Sequence, residues 1–383
     1  MRRHQSTLSL QEAIGQQKSF TPPYCPNPDC QHHHHGSMGF YVKNGFQKTQ
    51  KFPYTNQRYR CRTCRNQFSY TYFGHDFRKK TPCLSADIFF FKVNGMTNHS
   101  IARRLNIGEP SVRIRLAELK RQAMLKQKVL EKNMRLQEPI VYDGFESFSY
   151  SQFDPCYVNT SVGKNSLYTY LATLSPLNRK GRMTEWQKKK NLELRKEFGA
   201  YPPNSIRVQT TYSIAKLLKL TRNNQLQLFS DEHKSYQHSV KFDFPGCKIL
   251  HHTTSSKERR DGHNPLFAIN HLHLHYRHFL ASHRRETIAF NKHEAGLMDS
   301  ILLKTVSKNF LEPQMYKRGP KNKVRNKQSP AMAVGITDKI LTFDEFFDHK
   351  RTIKQVPLDQ EEERMYYSIY QFSRRRISRY KGI

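Results

Sequence analysis

Short apolar runs alternate with helical stretches through the middle of the chain. Helices are predicted over a charged stretch at about 117–136 and an amphipathic stretch at 212–220. Two further helices are predicted at about 264–284 and 292–310. Five runs have the length and the β-branched and aromatic content of strands: residues 139–146, 156–163, 166–175, 226–236 and 247–252. The order of three strands, helix, strand, helix, strand, helix predicts a mixed α/β sheet flanked by helices.

Residues 84–120 give two helical stretches separated by a short break at 106–108, where a glycine permits positive φ. Pro110 falls in the first turn of the second helix, where proline is tolerated, and Val112 and Leu116 are predicted to face inward. This pattern is typical of a helix-turn-helix, whose second helix enters the DNA major groove. A plain helical hairpin with a basic solvated face is the alternative. The residues predicted to contact DNA are Arg103, Arg104, Ser111, Arg113 and Arg115.

Four cysteines near the N-terminus have the spacing of metal ligands. Cys25 and Cys30 form a C-x4-C pair, and Cys61 and Cys64 form a C-x2-C pair. Two such pairs on hairpin turns supply the four tetrahedral ligands that zinc requires. The segments 40–45 and 57–70 are aromatic and β-leaning, as the strands of a zinc ribbon would be. Four reduced structural cysteines, or a histidine of the run 32–35 in place of one cysteine, are the alternatives.

The chain has 383 residues and carries 65 Lys and Arg against 31 Asp and Glu, a formal net charge of +34. This excess favours a polyanionic partner, because each neutralised phosphate releases a counterion from the nucleic acid. Seven cysteines, an odd number, argue against a disulfide framework and for a reducing compartment. No run approaches the length of a membrane span, and the N-terminal residues lack the apolar core of a secretory signal. A cytoplasmic, nucleoid-associated protein is therefore expected.

Two aspartates follow apolar runs that are predicted to be neighbouring strands. Asp143 is predicted to end the first strand and Asp231 the fourth. Carboxylates from adjacent strand ends can hold a pair of divalent ions about 4 Å apart, as phosphodiester chemistry requires. A lone aspartate at a strand end is usually a surface residue, so the prediction depends on the pair.

These features together resemble bacterial insertion-sequence transposases with a zinc ribbon, a helix-turn-helix and an RNase-H-like catalytic core. The resemblance rests on KNG … QRYRCRTCRNQF, on the two aspartates, and on NHLHLHYRHFLASHRRETIAFNKHE at 270–294, and it spans about residues 22–310. It implies a multidomain α/β protein with a zinc ribbon at 21–80, a helix-turn-helix region at 81–136 and an RNase-H-like mixed sheet flanked by helices at 137–312. By composition, the polar residues 1–20 are expected to be disordered and residues 313–383 to form a basic C-terminal region.

The resemblance also implies a third metal ligand on the long helix. Aligning the signature helix puts Asn270 at this position, where the family usually has Glu, and Arg277 at the basic position two turns later. An Asn carbonyl can ligate magnesium without contributing charge, and some relatives use Asn there. Glu286 and Glu294 are the competing third ligands. The first cysteine pair also departs from the family, which usually has C-x2-C.

The function implied is binding of double-stranded DNA, at terminal inverted repeats and target sites, with strand cleavage and transfer that depend on Mg²⁺ or Mn²⁺. Zn²⁺ would be structural, and the active form would be a homodimer or higher oligomer on DNA. The rivals are a catalytically degenerate DNA-binding protein and an RNase-H-like nuclease without strand transfer. The histidines at 271–278 are interpreted as a polar surface over DNA, and the basic runs 317–327 and 373–382 as solvated arms that touch phosphate.

Overall fold

The computed structural model describes residues 10–34, 36–50, 54–81, 83–255, 257–284, 289–315 and 327–370. In that part of the chain a small cysteine-bearing sheet, a group of helices and a larger mixed sheet follow one another, and the C-terminal residues fold back over all three. None of the helices in these ranges is both long and apolar enough to cross a bilayer.

The N-terminal unit is a three-stranded antiparallel sheet with a helix beside it. Its elements are α1 (Leu10–Ser19), β1 (Tyr41–Lys48), β2 (Thr55–Cys61) and β3 (Gln67–Ser69). The order is β1-β2-β3, which confirms the strands predicted around the cysteines. Disorder over 1–20 is wrong for the residues that form α1, because the buried Gln17 amide accepts the Gln57 N–H at 2.8 Å and so pairs the helix with β2. Residues 1–9 lie outside the described part.

Three helices follow: α2 (Ser85–Val93), α3 (Asn98–Leu105) and α4 (Glu109–Leu130). Asn106 ends α3 in the left-handed conformation with φ of 51°, and Gly108 precedes the first turn of α4, which contains Pro110. The predicted break and the two helices around it are confirmed. The separate charged helix expected at 117–136 is instead the continuation of α4 to Leu130, because no glycine or proline occurs between Pro110 and that residue.

The larger sheet has five strands: β4 (Ile140–Phe148), β5 (Pro155–Gly163), β6 (Thr169–Pro176), β7 (Gln225–Asp231) and β8 (Lys248–Thr254). Their order is β6-β5-β4-β7-β8. The pairs among β4, β5 and β6 are antiparallel, whereas β7 pairs in parallel with both β4 and β8. A strand is observed at each of the five predicted places and the mixed sheet is observed, but the run predicted at 226–236 ends as a strand at Asp231, and Lys234 already begins a helix.

Helices cover both faces of this sheet: α5 (Glu185–Phe198), α6 (Ser205–Leu220), α7 (Lys234–Phe242), α8 (Phe267–Phe279) and α9 (Glu294–Val306), the last extended by a π-helical turn at Ser307–Leu311. Alternate residues of β4 serve the two faces. Ile140 and Tyr142 join an apolar cluster with Ile214 of α6, whereas Val141 joins the opposite cluster with Ile269 of α8.

The C-terminal residues form short elements: β9 (Gln314–Met315), β10 (Lys327–Gln328), α10 (Pro330–Ala333), α11 (Phe343–Phe346) and α12 (Gln360–Tyr367). The residues after β10 pack against the rest of the chain: Lys350 O accepts the Tyr24 hydroxyl at 2.6 Å, and Asp348 pairs with Lys126 of α4 at 2.9 Å. Residues 329–370 contain eight Asp or Glu against five Lys or Arg, so this segment is acidic. The predicted basic runs at 317–327, except for Lys327, and at 373–382 lie outside the described residues.

Candidate metal centres and nucleic-acid-binding surface

The four predicted cysteine ligands converge on one point. Their sulfur atoms lie within 4.8 Å of one another, with Cys25 and Cys64 at 3.5 Å and Cys30 and Cys61 at 3.8 Å. Tetrahedral thiolate ligands with Zn–S bonds of about 2.3 Å are separated by about 3.8 Å, so the cluster has the size of a zinc site. The cluster can therefore bind a metal such as zinc.

Local turns bring the two cysteine pairs together. The Cys25 N–H donates to His32 O at 2.9 Å, and the Cys61 N–H donates to Asn66 O at 2.9 Å, which closes each loop around its sulfurs. His33 is engaged elsewhere: its Nδ1 lies 2.8 Å from Cys25 O and its Nε2 lies 3.2 Å from Thr352 Oγ1. The buried histidine therefore braces the site instead of replacing a cysteine.

The metal-free thiols differ in acidity. Burial raises the pKa of Cys25 and of Cys30. At Cys64, desolvation also acts to raise the pKa, but hydrogen bonds with the Asn66 backbone and the Asn27 side chain outweigh it and bring the pKa to about 7. Because the thiolate is the form that ligates metal, the lowered pKa makes Cys64 a readier ligand near neutral pH than Cys25 or Cys30.

Asp143 and Asp231 stand level on adjacent parallel strands. Ile140 pairs with Leu228 and Val141 with Phe229, and each aspartate lies two residues beyond the last of these pairs. Asp231 ends β7, as predicted. The prediction that Asp143 ends its strand is wrong: it lies in the middle of β4, because β5 pairs with β4 along its whole length, to Phe148.

Two tyrosine hydroxyls hold the Asp143 carboxylate. Tyr157 and Tyr236 each donate to Asp143 Oδ1 at 3.2 Å, and their hydroxyl oxygens are 2.9 Å apart. The Tyr157 ring lies against Gly144, where a Cβ would be 2.3 Å from Tyr157 Cε1, so this contact requires glycine. Burial and then the charge of Asp231 raise the pKa of Asp143 to about 7. A bound cation would relieve both effects.

The helix α8 crosses the sheet at the level of Asp143. Thr160 on β5 donates to the Asp143 carbonyl at 3.1 Å, and its Oγ1 lies 3.0 Å from Nε2 of the buried His273. Asn270 is half-buried and precedes His273 by three residues, so the two side chains share a face of α8. Burial, and then the charge of Arg277, lower the pKa of His273 to about 3, so this histidine is neutral.

Glu294 is not placed to complete this site. Its Oε1 accepts the Ser149 hydroxyl at 2.7 Å, and Ser149 lies six residues beyond Asp143, about 20 Å along extended chain. Glu286 lies outside the described residues. The Arg277 guanidinium lies 5.6 Å from the centre of the Phe145 ring, two turns after Asn270.

Tyr157, Tyr236 and His273 are the residues of this site that the sequence analysis did not identify. The sequence pattern of the α8 histidines was interpreted as a polar surface over DNA, whereas the His273 side chain is buried. The two tyrosines come from β5 and α7, and nothing in their local sequence indicates that they meet at Asp143.

Most of the predicted DNA-contacting residues are exposed at the α3–α4 tip, but one is not. Arg115 is buried and pairs with Asp76, and it also donates to Thr81 O. The prediction that Arg115 faces outward is wrong because position 115 lies on the inner face of α4, three residues after Val112. The four residues that remain exposed are Arg103, Arg104, Ser111 and Arg113.

Comparison of the chain with protein-family models and with curated proteins gives no match.

Proposed function

We propose that this protein is a DNA transposase with a helix-turn-helix at the α3–α4 tip and an RNase-H-like catalytic core in the five-stranded sheet. The observation that supports this most strongly is the level placement of Asp143 and Asp231 on adjacent parallel strands, with His273 of α8 beside Thr160, the cross-strand neighbour of Asp143. Paired carboxylates in that arrangement are the donor set that Mg²⁺ or Mn²⁺ uses for phosphodiester chemistry.

In this proposal Asp143 and Asp231 are the charged ligands and Asn270 contributes a neutral carbonyl oxygen from α8. A bound pair of divalent ions would supply an activated attacking oxygen and stabilise the leaving oxygen of the phosphodiester. Tyr157 and Tyr236 donate to Asp143 Oδ1 and so orient the carboxylate, whose oxygens would ligate a cation. Arg277, two turns from Asn270, would contact the phosphate backbone.

DNA recognition is assigned to the α3–α4 tip, outside the five-stranded sheet. Arg103, Arg104 and Arg113 are exposed around the start of α4, and the chain as a whole carries a net charge of +34. The four-cysteine unit would be a zinc ribbon that fixes the N-terminal region. The element's terminal inverted repeats and the target DNA are the proposed partners. Because each chain has one catalytic centre and an element has two ends, the active form on DNA would be at least a dimer. This complex would lie in the cytoplasm, at the nucleoid.

The test is a cleavage assay on DNA that the protein itself selects from a random duplex library. Wild type should nick the selected duplex when Mg²⁺ or Mn²⁺ is added and should join the ends to a target plasmid. Asp143→Asn and Asp231→Asn should abolish both reactions and leave DNA binding within about twofold, because the binding residues lie on α3 and α4. The control is Asp338→Asn, an exposed carboxylate outside the sheet.

The second candidate is a DNA-binding protein that has lost catalysis, and the neutral Asn270 is the observation that favours it. Under this alternative the protein binds its selected DNA, and no metal ion produces nicks. Nicks without joined products would instead identify a nuclease. If Asn270 is a ligand, Asn270→Asp should keep or raise cleavage and Asn270→Leu should abolish it.

A further inference from the structure

An apolar residue is exposed at the centre of the proposed recognition surface. Ile114 has 55% of its surface accessible, whereas Val112 and Leu116, its apolar neighbours on α4, are buried. A single exposed isoleucine on a protein surface needs no special explanation. Ile114 differs from such a residue because of its position on α4.

Ile114 lies opposite the buried face of α4. At 100° per residue it is about 160–200° from Val112 and Leu116, and Ser111 and Arg113 lie on either side of it. Apart from Val129 at its far end, α4 has exposed residues only among its first six, which end at Ile114, because everything from Arg115 to Lys128 is buried or half-buried. Ile114 therefore stands where the accessible end of α4 meets the body of the protein.

The charges around Ile114 indicate what covers this surface. Arg113, its neighbour on α4, is exposed, and Arg103 and Arg104 are exposed on the preceding helix α3. The nearest acidic residue at the start of α4 is Glu109, whose carboxylate lies 3.9 Å from His99 Nδ1. An apolar side chain beside an exposed arginine, on a helical tip with further exposed arginines, is complementary to the DNA major groove, where phosphates flank the base edges.

We propose that Ile114 packs against the C5 methyl group of a thymine in the major groove and so determines specificity at one base pair. Among the four bases only thymine presents an apolar group there, whereas Ser111 and Arg113 can address hydrogen-bonding atoms. This inference rests on the proposed function, since it requires α4 to be a recognition helix.

The test removes the contact from each side: the methyl group of thymine, and the side chain of Ile114 beyond Cβ. DNA is selected from a random duplex library, and each thymine of the selected site is replaced in turn by deoxyuridine, which differs only in lacking that methyl. One such replacement should weaken wild-type binding about fourfold, the value of one buried methyl group. The same replacement should leave the affinity of Ile114→Ala unchanged, because the variant no longer contacts the methyl.

The matched control is Val129→Ala, an exposed apolar residue at the other end of α4, which should retain the wild-type response to deoxyuridine. If no thymine position responds in wild type, or if Ile114→Ala responds equally, the inference is overturned while DNA binding stands. Loss of self-association of the DNA-free protein in Ile114→Ala would assign the surface to a second copy and also overturn it. Failure of wild type to select any DNA would remove the proposed function itself.

Discussion

At the residue scale, two arginines two positions apart on α4 have different environments. Arg115 is buried and paired with Asp76, whereas Arg113 is exposed. Arg115→Ala would remove a buried guanidinium and leave the half-buried Asp76 carboxylate with only its hydrogen bonds from Cys83 N–H and Ser85 Oγ, so we expect a loss of about 3 kcal/mol in the free energy of unfolding. Arg113→Ala should change stability by less than about 0.5 kcal/mol and weaken DNA binding instead. Urea unfolding of both variants measures the difference, and equal losses would contradict these assignments.

A second residue-scale prediction concerns pH. His283 is buried, its Nδ1 lies 3.2 Å from Ser147 Oγ, and burial lowers its pKa to about 3. In the unfolded chain this histidine binds a proton below pH about 6.5, whereas in the folded chain it does so only near pH 3. The stabilisation that comes from keeping His283 neutral is therefore complete above pH about 6.5. It is lost progressively as the pH falls toward 3.

Between pH 7 and pH 5 the free energy of unfolding should decrease by about 2 kcal/mol from His283 alone. His283→Asn should show a correspondingly smaller decrease in urea unfolding at the two pH values. The matched control is exposed His278→Asn, which should follow wild type. A variant at position 283 with the full wild-type decrease would show that this histidine is not the titrating group.

Residue type and spacing predicted the four-cysteine cluster and the pairing of the two aspartates, but not the residues that pack around them. The cysteine spacing and the apolar runs before Asp143 and Asp231 are local signals. The burial of Arg115 depends on Asp76, which lies on another segment, and the hydrogen bonds to Asp143 come from β5 and α7. Contacts of this kind are set by tertiary structure, which a local pattern does not contain.

At the element scale, the cysteine-bearing sheet should depend on its metal. Cys61→Ser and Cys64→Ser should each lower zinc content from about one ion per chain toward zero and loosen β1 to β3, because metal binding supplies folding free energy to so small a core. Metal analysis by plasma emission and amide hydrogen exchange of residues 40–70 measure both effects. Cys83→Ser, at an exposed cysteine, should retain the metal. Intact protein purified without zinc or another metal would refute the zinc site.

Strands were predicted better than helix boundaries. Each of the five core strands is a short apolar run bounded by polar or turn residues, a signal that is contained in the run itself. The polar α1 was missed because it is held in place by Gln17, whose partners on β2 are about 40 residues away. The continuation of α4 was missed because a change in composition at residue 117 was interpreted as an element boundary, although helix propensity continues across it.

At the scale of the whole molecule, α4 runs from the proposed DNA-binding tip to the helices that cover the five-stranded sheet. Its 22 residues span about 33 Å. The acidic C-terminal segment holds its inner half: buried Lys120 donates to the carbonyl of Tyr366 at 3.0 Å and to Ser368 Oγ at 2.9 Å. Glu362 of α12 pairs with Lys128 of α4 and with Lys216 of α6. This arrangement fixes the tip relative to the sheet.

Glu362→Ala should therefore release α12. We expect a loss of about 1–3 kcal/mol in stability, because two lysines lose their common partner in a largely buried setting, and faster limited proteolysis between α11 and α12. Glu363→Ala, at the exposed neighbouring residue, is the matched control and should behave as wild type. Equal proteolysis of both variants would contradict the role given to Glu362. The sequence did not predict this contact because it joins residues more than 140 positions apart.

The central claim is that Asp143 and Asp231 share divalent metal beneath α8. Anomalous diffraction from crystals soaked in Mn²⁺ tests it most directly, since manganese is located independently of the protein atoms. The account predicts manganese bound by both carboxylates, with Asn270 facing it from α8, and its loss in Asp143→Asn. Carboxylates of Asp143 and Asp231 more than about 8 Å apart, twice the usual two-metal separation, with no manganese between them, would contradict it.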